Sequence, residues 1–200
     1  MVIGVDIDGV LYQTEGMFRE YSEKYNKLVE GKLIDDGEVN AGKRYNWTKE
    51  QINDFMQNSY YEVEKKAPLF DMAKEILGVL KKTHKIVFIT ARGHISDNEK
   101  PLTLKRLADD GILYDDILFS NRSKVQACKD AGVDVMIDDN PNVIDELLEN
   151  GVNCLYFRDM RNKPCQNSVI ELYSWKEIGE FFRIVSHKPV LTLGQVLQCN

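Results

Sequence analysis

Two aspartates near the start of the chain have the residue type and the spacing for phosphate chemistry. Asp6 and Asp8 follow the apolar run of residues 2–5 and precede Gly9. Residues two apart in an extended strand point to the same side, so the two carboxylates lie together if the strand persists that far. A divalent cation relieves their repulsion, and Mg²⁺ is the usual ion for carboxylates that also meet phosphate oxygens. The alternative is a solvated Asp-Gly turn after an edge strand, because both residue types favour turns.

Three further polar motifs each follow an apolar run that predicts a strand. A parallel sheet brings the carboxyl ends of its strands to one edge, where open α/β sheets bind their ligands. Each motif alone has an ordinary alternative: a strand threonine, a surface lysine, or a helix start with Asn140 as its cap and Pro141 in the first position. Their joint placement favours one site shared with Asp6 and Asp8. The motifs are Thr90-Ala91-Arg92, Ser120-Asn121-Arg122-Ser123-Lys124 and Asp138-Asp139.

These residue types can divide a phosphoryl transfer among them. An aspartate that attacks phosphorus splits hydrolysis into two easier steps, and a second carboxyl group can give and then take the proton. A metal ion, an ammonium group and hydroxyl or amide donors stabilise the phosphoryl oxygens. Arg92 is either a phosphate or substrate contact or a surface arginine. The candidates are Asp6 as nucleophile, Asp8 as general acid and base, Thr90, Ala91, Arg92 and Lys124 for phosphate, and Asp6, Asp8, Asp138 and Asp139 for the metal ion.

Apolar patterns predict an α/β fold in which a parallel sheet is flanked by helices. Strands and helices alternate after residue 84, and such alternation implies right-handed crossovers between parallel strands. Thr48 followed by Gln51 predicts a capping box at the start of a helix. The predicted strands are 2–5, 85–90, 117–119, 135–137 and 152–157, and the predicted helices are 15–28, 49–63, 71–82, 100–110, 123–131, 142–149 and 175–184.

More than seventy residues separate the first two predicted strands, although a crossover needs only about a dozen. The excess, residues 12–67, predicts a small helical cap inserted at the carboxyl end of the first strand. Residues 1–11 and 68–187 then form the core domain, and residues 188–200 form a tail. The cap segment is rich in aromatic residues, which suit either stacking on a nucleobase or the core of the cap itself. Phe18 and either Tyr45 or Trp47 are the candidate base contacts.

Composition excludes several classes of partner. The chain has 200 residues, 43% of them hydrophobic, and a formal net charge of -6. That charge argues against a nucleic-acid polymer as partner, and only short apolar runs occur, which argues against a membrane span. We expect a cytoplasmic protein with a small-molecule substrate, and a homodimer stays open. The four cysteines and three histidines lack the short spacings of disulfide frameworks or zinc sites, so we expect free thiols and interpret His94 as a loop residue.

The order of the motifs resembles that of the haloacid dehalogenase superfamily of aspartate-dependent phosphohydrolases over about residues 1 to 160. The resemblance implies a Rossmann-like core, a nucleophilic and metal-binding Asp6, an acid/base Asp8 whose backbone carbonyl also binds the metal ion, and Asp139 as the more direct ligand of its pair. A closer likeness is to the 5′(3′)-deoxyribonucleotidase family. The motifs that carry it are Asp8-Gly9-Val10-Leu11, Ile89-Thr90-Ala91-Arg92, Ile137-Asp138-Asp139 and Trp175-Lys176-Glu177-Ile178.

Three functional hypotheses follow. The first is a Mg²⁺-dependent phosphatase of nucleoside (deoxy)monophosphates that forms an aspartyl-phosphate. The second keeps this chemistry on another small phosphomonoester, such as a sugar phosphate. The third is a non-catalytic phospho-receiver or binding module, but receivers place the phosphoacceptor on the third strand and have no large cap.

Overall fold

The computed structural model describes residues 1–93, 98–119 and 123–184. Its strands and helices alternate through the second half of the chain, and no helix in these ranges is long and apolar enough to cross a membrane. The strands are β1 (Val2–Val5), β2 (Lys85–Ile89), β3 (Asp116–Leu118), β4 (Val135–Asp138), β5 (Cys154–Phe157) and β6 (Ile170–Leu172). The helices are α1 (Thr14–Leu28), α2 (Ala41–Arg44), α3 (Lys49–Lys66), α4 (Ala73–Leu80), α5 (Glu99–Asp109), α6 (Val125–Ala131), α7 (Pro141–Glu149) and α8 (Trp175–Phe181).

The six strands form one parallel sheet in the order β3-β2-β1-β4-β5-β6. Strand β1 lies between β2 and β4, and the order reverses on either side of it. One apolar cluster packs Ile3, Val5 and Phe88 against α4 and α8, and a second packs Val87, Ile89 and Met136 with residues of α6 and α7. The sheet is therefore covered on both faces, which confirms the predicted fold class.

Helices α1, α2 and α3 all fall between β1 and β2. Thr48 accepts a hydrogen bond from the Gln51 backbone, and the Gln51 side chain accepts one from the Thr48 backbone. This confirms the predicted capping box at the start of α3. Tyr45, Trp47 and Phe55 form a separate apolar cluster within these helices. The division at residues 11, 67 and 187 stays a prediction.

Several details differ from the sequence-based expectation. Helix α2 and strand β6 were not predicted, because Ala-Gly-Lys-Arg and Ile-Glu-Leu have neither a helical period nor consecutive apolar residues. Strand β1 ends at Val5, so Asp6 and Asp8 lie in a tight turn rather than along a strand. Cys128, Cys154 and Cys165 are free thiols. His94, residues 120–122, Cys199 and the predicted tail lie outside the described residues.

Candidate active site

The centre of the site is a buried lysine between two carboxylates. Asp6 directly follows β1, Asp138 ends the adjacent β4, and Lys124 immediately precedes α6. Lys124 Nζ lies 2.8 Å from Asp6 Oδ1 and 2.7 Å from Asp138 Oδ2. The Asp6 backbone N–H donates to Ile137 O at 2.9 Å, which holds the start of the turn against β4. The convergence expected from a parallel sheet thus places these three side chains together.

Asp139 adds a third carboxylate. One oxygen each from Asp6, Asp138 and Asp139 lie within 4.8 Å of one another. Gly9 makes room for this arrangement: its φ is +72°, and a Cβ there would lie 1.8 Å from Asp139 Oδ2. Three hard oxygen donors with a single ammonium group beside them carry an excess of negative charge, which suits Mg²⁺. The Asp8 side chain is not part of this cluster. If Asp8 binds the ion, it does so through its backbone carbonyl, as the resemblance implies.

Electrostatics support the need for a cation. The pKa of Asp6 is raised to about 7. Burial is the largest cause; Lys124 opposes the rise, and the charges of Asp138 and Asp8 add to it. The pKa of Asp139 is also raised, first by burial and then by Asp138 and Asp6. Burial opposes the charge of Lys124, but Asp138 and Asp6 raise its pKa, so its ammonium group stays charged. A bound dication would favour the ionised carboxylates, as a nucleophile and its neighbours require.

Arg92 is a buried partner of Asp8. Its Nη2 lies 2.6 Å from Asp8 Oδ1, and its Nε lies 2.8 Å from Asp8 Oδ2. The Arg92 residue is fully buried, so the surface interpretation is wrong. It also lies outside the lining of the cavity described below. We therefore replace the predicted phosphate contact with a role in holding Asp8.

Ala91 lines the cavity of the site, whereas Thr90 is buried and is not among the described lining residues. Thr90 is fully buried, and its Oγ1 accepts a hydrogen bond from Arg92 N at 3.1 Å. Ala91 lines the cavity beside Asp6. The strand end at β2 thus presents Ala91 to a ligand, while Thr90 shapes the turn that follows.

A cavity of about 560 Å³ extends from the acidic cluster to the helices of the insertion. Among the described residues that line the cavity, Lys124 is the only positively charged one. Helices α1 and α3 and the loop before α2 supply the opposite wall. The lining residues from that wall are Thr14, Glu15, Phe18, Val39, Asn40, Ile52, Met56 and Tyr60.

The structure separates the three aromatic residues predicted to contact a base. Phe18 lines the cavity, and its ring centroid lies 5.3 Å from that of Tyr60. Tyr45 and Trp47 instead stack on each other at 4.8 Å in the apolar cluster with Phe55. Neither of them is among the described lining residues, so their assignment as base contacts is corrected to a structural one.

Sequence reasoning missed Tyr60, Glu15 and Glu64. Tyr60 belongs to the aromatic-rich segment and lies one turn after Met56 on α3. This spacing places the two side chains on the same face of the helix, and both line the cavity. Glu15 Oε1 lies 2.8 Å from Arg19 Nε, four residues along α1, and 2.8 Å from Arg44 Nη2. The spacing of Glu15 and Arg19 was a usable signal, whereas the contact with the distant Arg44 was not. Glu64 is fully buried on α3 and faces Arg92, although its helical pattern reads as an ordinary charged surface position.

Comparison with known proteins finds similarity in sequence and in fold. No family model matches the chain. The Bacillus subtilis (strain 168) protein named "Putative nucleotidase YqfW" is 28% identical over 189 residues, which cover 92% of this chain and 95% of that protein.

Solved structures align over nearly the whole chain. The haloacid dehalogenase-like hydrolase SP0104 from Streptococcus pneumoniae has a TM-score of 0.64 and 17% identity, and covers 90% of this chain and 97% of its own. A mutant of CbbY from Rhodobacter sphaeroides in complex with xylulose-(1,5)bisphosphate has a TM-score of 0.61 and 14% identity. The alignment covers 89% of this chain and 96% of that protein. The chain therefore has the Rossmann-like fold of haloacid dehalogenase-like hydrolases.

Proposed function

We propose that this protein is a Mg²⁺-dependent phosphatase that hydrolyses nucleoside (deoxy)monophosphates through an aspartyl-phosphate on Asp6. The observation that carries the proposal is the cluster of Asp6, Lys124, Asp138 and Asp139 at the floor of a cavity whose far wall holds Phe18. The fold and the nucleotidase name of the Bacillus subtilis relative agree with it.

The residues divide the reaction as follows. An Asp6 oxygen attacks phosphorus and the ester O–P bond breaks; Asp8 gives its proton to the departing alkoxide. Asp8 then takes a proton from the water that attacks the phosphorus of the aspartyl-phosphate, which frees Asp6 and inorganic phosphate. Lys124 stabilises charge on the phosphoryl oxygens.

Asp6, Asp138 and Asp139 would hold Mg²⁺, together with the Asp8 carbonyl. Bound there, the ion supplies positive charge that offsets the phosphoryl oxygens and the carboxylates themselves. Asp138 is also held by Lys124 and by the Asn140 N–H, at 2.9 Å from Asp138 Oδ1. Asp139 has no such protein donors among the described contacts, which favours it as the more direct ligand.

A second candidate substrate is a sugar phosphate. The CbbY complex shows that this fold accommodates a sugar bisphosphate in another protein, and Glu15 and Asn40 in the lining can meet hydroxyl groups. The apolar stretch formed by Phe18, Ile52 and Met56 favours a flat base over a sugar alone.

Phosphate release from matched substrates tests the proposal. We expect the wild type with Mg²⁺ to hydrolyse deoxynucleoside and nucleoside monophosphates faster than sugar phosphates, and Asp6→Asn to lose at least a thousandfold in kcat. Full activity of Asp6→Asn would exclude the mechanism. Faster hydrolysis of sugar phosphates would favour the second candidate, and stable phosphorylation of Asp6 without turnover would indicate a receiver.

A further inference from the structure

The Asp8 carboxylate is held by one side chain that is itself fixed from two sides. Arg92 donates to both oxygens of Asp8, at 2.6 and 2.8 Å, and its Nη1 donates to Thr103 Oγ1 on α5 at 3.1 Å. A guanidinium group is planar and rigid, so its orientation sets the orientation of the carboxylate that it binds.

Glu64 completes the surroundings of Arg92. Glu64 Oε1 lies 3.3 Å from Arg92 Nε, and both side chains are fully buried. Neither oxygen of Glu64 receives a hydrogen bond from the described residues. A buried carboxylate without hydrogen bonds is costly. Stability alone therefore explains Glu64 poorly.

The backbone at Glu64 is anchored to the core. Arg106 on α5 donates from Nη1 to Glu64 O at 2.7 Å and from Nη2 to Ala67 O at 2.8 Å. Thr103 and Arg106 thus lie on the same helix and hold Arg92 and the last turn of α3 together. The last turn of α3, which carries Glu64, is thereby tied to the same helix that holds Arg92.

We propose that Glu64 is a positioning residue for Asp8 and acts through Arg92. The Glu64 carboxyl group lies against the Nε end of the guanidinium group, and Thr103 holds its Nη1. Held at both ends, Arg92 presents Asp8 toward the oxygen of the leaving group. The inference rests on the proposed function, because it concerns the delivery of a proton by Asp8.

The test compares two esters that differ by one methylene group. 4-Nitrophenyl phosphate has a good leaving group that needs little protonation, whereas 4-nitrobenzyl phosphate releases an alkoxide that needs a proton. Their kcat/KM values report the steps up to transfer of the phosphoryl group to Asp6. We expect Glu64→Leu to lower kcat/KM at least tenfold more for the benzyl ester than for the phenyl ester. Glu64→Gln, which keeps an oxygen facing Arg92, restores at least half of that loss.

Matched variants separate positioning from general destabilisation. Arg92→Lys keeps the charge but loses the pair of hydrogen bonds to Asp8. We expect it, like Glu64→Leu, to lower kcat/KM more for the benzyl ester than for the phenyl ester. Phe55→Leu disturbs the buried side of the same helix away from Arg92. We expect it to change kcat/KM by the same factor for both esters. Glu64→Leu should fold, because Arg92 keeps Asp8 as its charged partner; if it does not, Arg92→Lys and Glu64→Gln decide the question.

The outcomes distinguish the two proposals. Equal loss for both esters in an active enzyme would overturn the role of Glu64 and leave the proposed function intact. Full activity of Asp6→Asn, or a wild type inactive on every phosphomonoester, would overturn the proposed function and the inference with it.

Discussion

Lys124 and Asp138 form a fully enclosed ion pair, with 2.7 Å between Lys124 Nζ and Asp138 Oδ2 and side-chain exposures of 3% and 0%. The same ammonium group lies 2.8 Å from Asp6. One cation thus holds together the ends of two neighbouring strands.

Lys124→Met should destabilise the protein and stop catalysis. Removal of one partner from a buried ion pair leaves an uncompensated charge and costs about 3–5 kcal/mol. Urea unfolding without metal measures this loss, and we expect kcat to fall at least a hundredfold. Lys163→Met is the control, because Lys163 pairs with Asp35 at the exposed surface and should change neither quantity appreciably. Equal stability of the two variants would contradict the enclosed pair.

Gly9→Ala should abolish the response to Mg²⁺. Gly9 and Gly132 have φ angles of +72° and +65°, so alanine strains both positions. Only the Cβ at residue 9 would collide with Asp139; that at residue 132 meets no described atom within 4 Å. An ion at 100 times its Kd stabilises the folded state by about 2.7 kcal/mol. Thermal unfolding in EDTA and in Mg²⁺ should show a rise in Tm for the wild type and Gly132→Ala, but none for Gly9→Ala.

Phe18→Ala should weaken nucleotide binding without affecting the phosphoryl transfer. Stacking of a base on an aromatic ring contributes roughly 1–3 kcal/mol, which corresponds to a rise in KM of about fivefold or more. We expect kcat for a deoxynucleotide to change less than threefold. Trp47→Phe tests the corrected assignment: Trp47 packs in the aromatic cluster and its Nε1 donates to Asn26 Oδ1 at 2.9 Å, so this variant should lower Tm and leave KM unchanged.

Much of the fold could be predicted from the sequence because local physics and global topology agree. Residues 86–89 are apolar and mostly β-branched, as is typical of a strand buried on both faces. Thr48 and Gln51 form the capping box that marks the start of α3. A parallel sheet then brings Asp6 and Asp138, which follow neighbouring strands, to one edge, and it places the segment between β3 and α6 at the same edge.

The parts that could not be predicted depend on contacts between distant segments. Trp47 and Phe18 both belong to the same aromatic-rich stretch, and only the packing of α1 on α3 decides which ring faces the cavity. Arg92 follows a strand end, as a phosphate contact would, but its direction is set by Asp8 and by Thr103, eleven residues farther along the chain. No spacing in the sequence encodes such a pairing.

Glu64 gives the protein a dependence of stability on pH that Glu64→Gln should remove. Burial raises the pKa of Glu64 from 4.5 to about 8; Arg92 lowers it, and Asp8 and Glu99 raise it. A carboxyl group with a raised pKa in the folded state contributes stability that is complete below its ordinary pKa and is lost as the pH rises through the folded value. Each pH unit between these values costs up to about 1.4 kcal/mol for one proton. Urea unfolding at pH 5 and pH 8 should therefore show Glu64→Gln gaining on the wild type as the pH rises. A constant difference between the two proteins would show that Glu64 is ionised throughout this range.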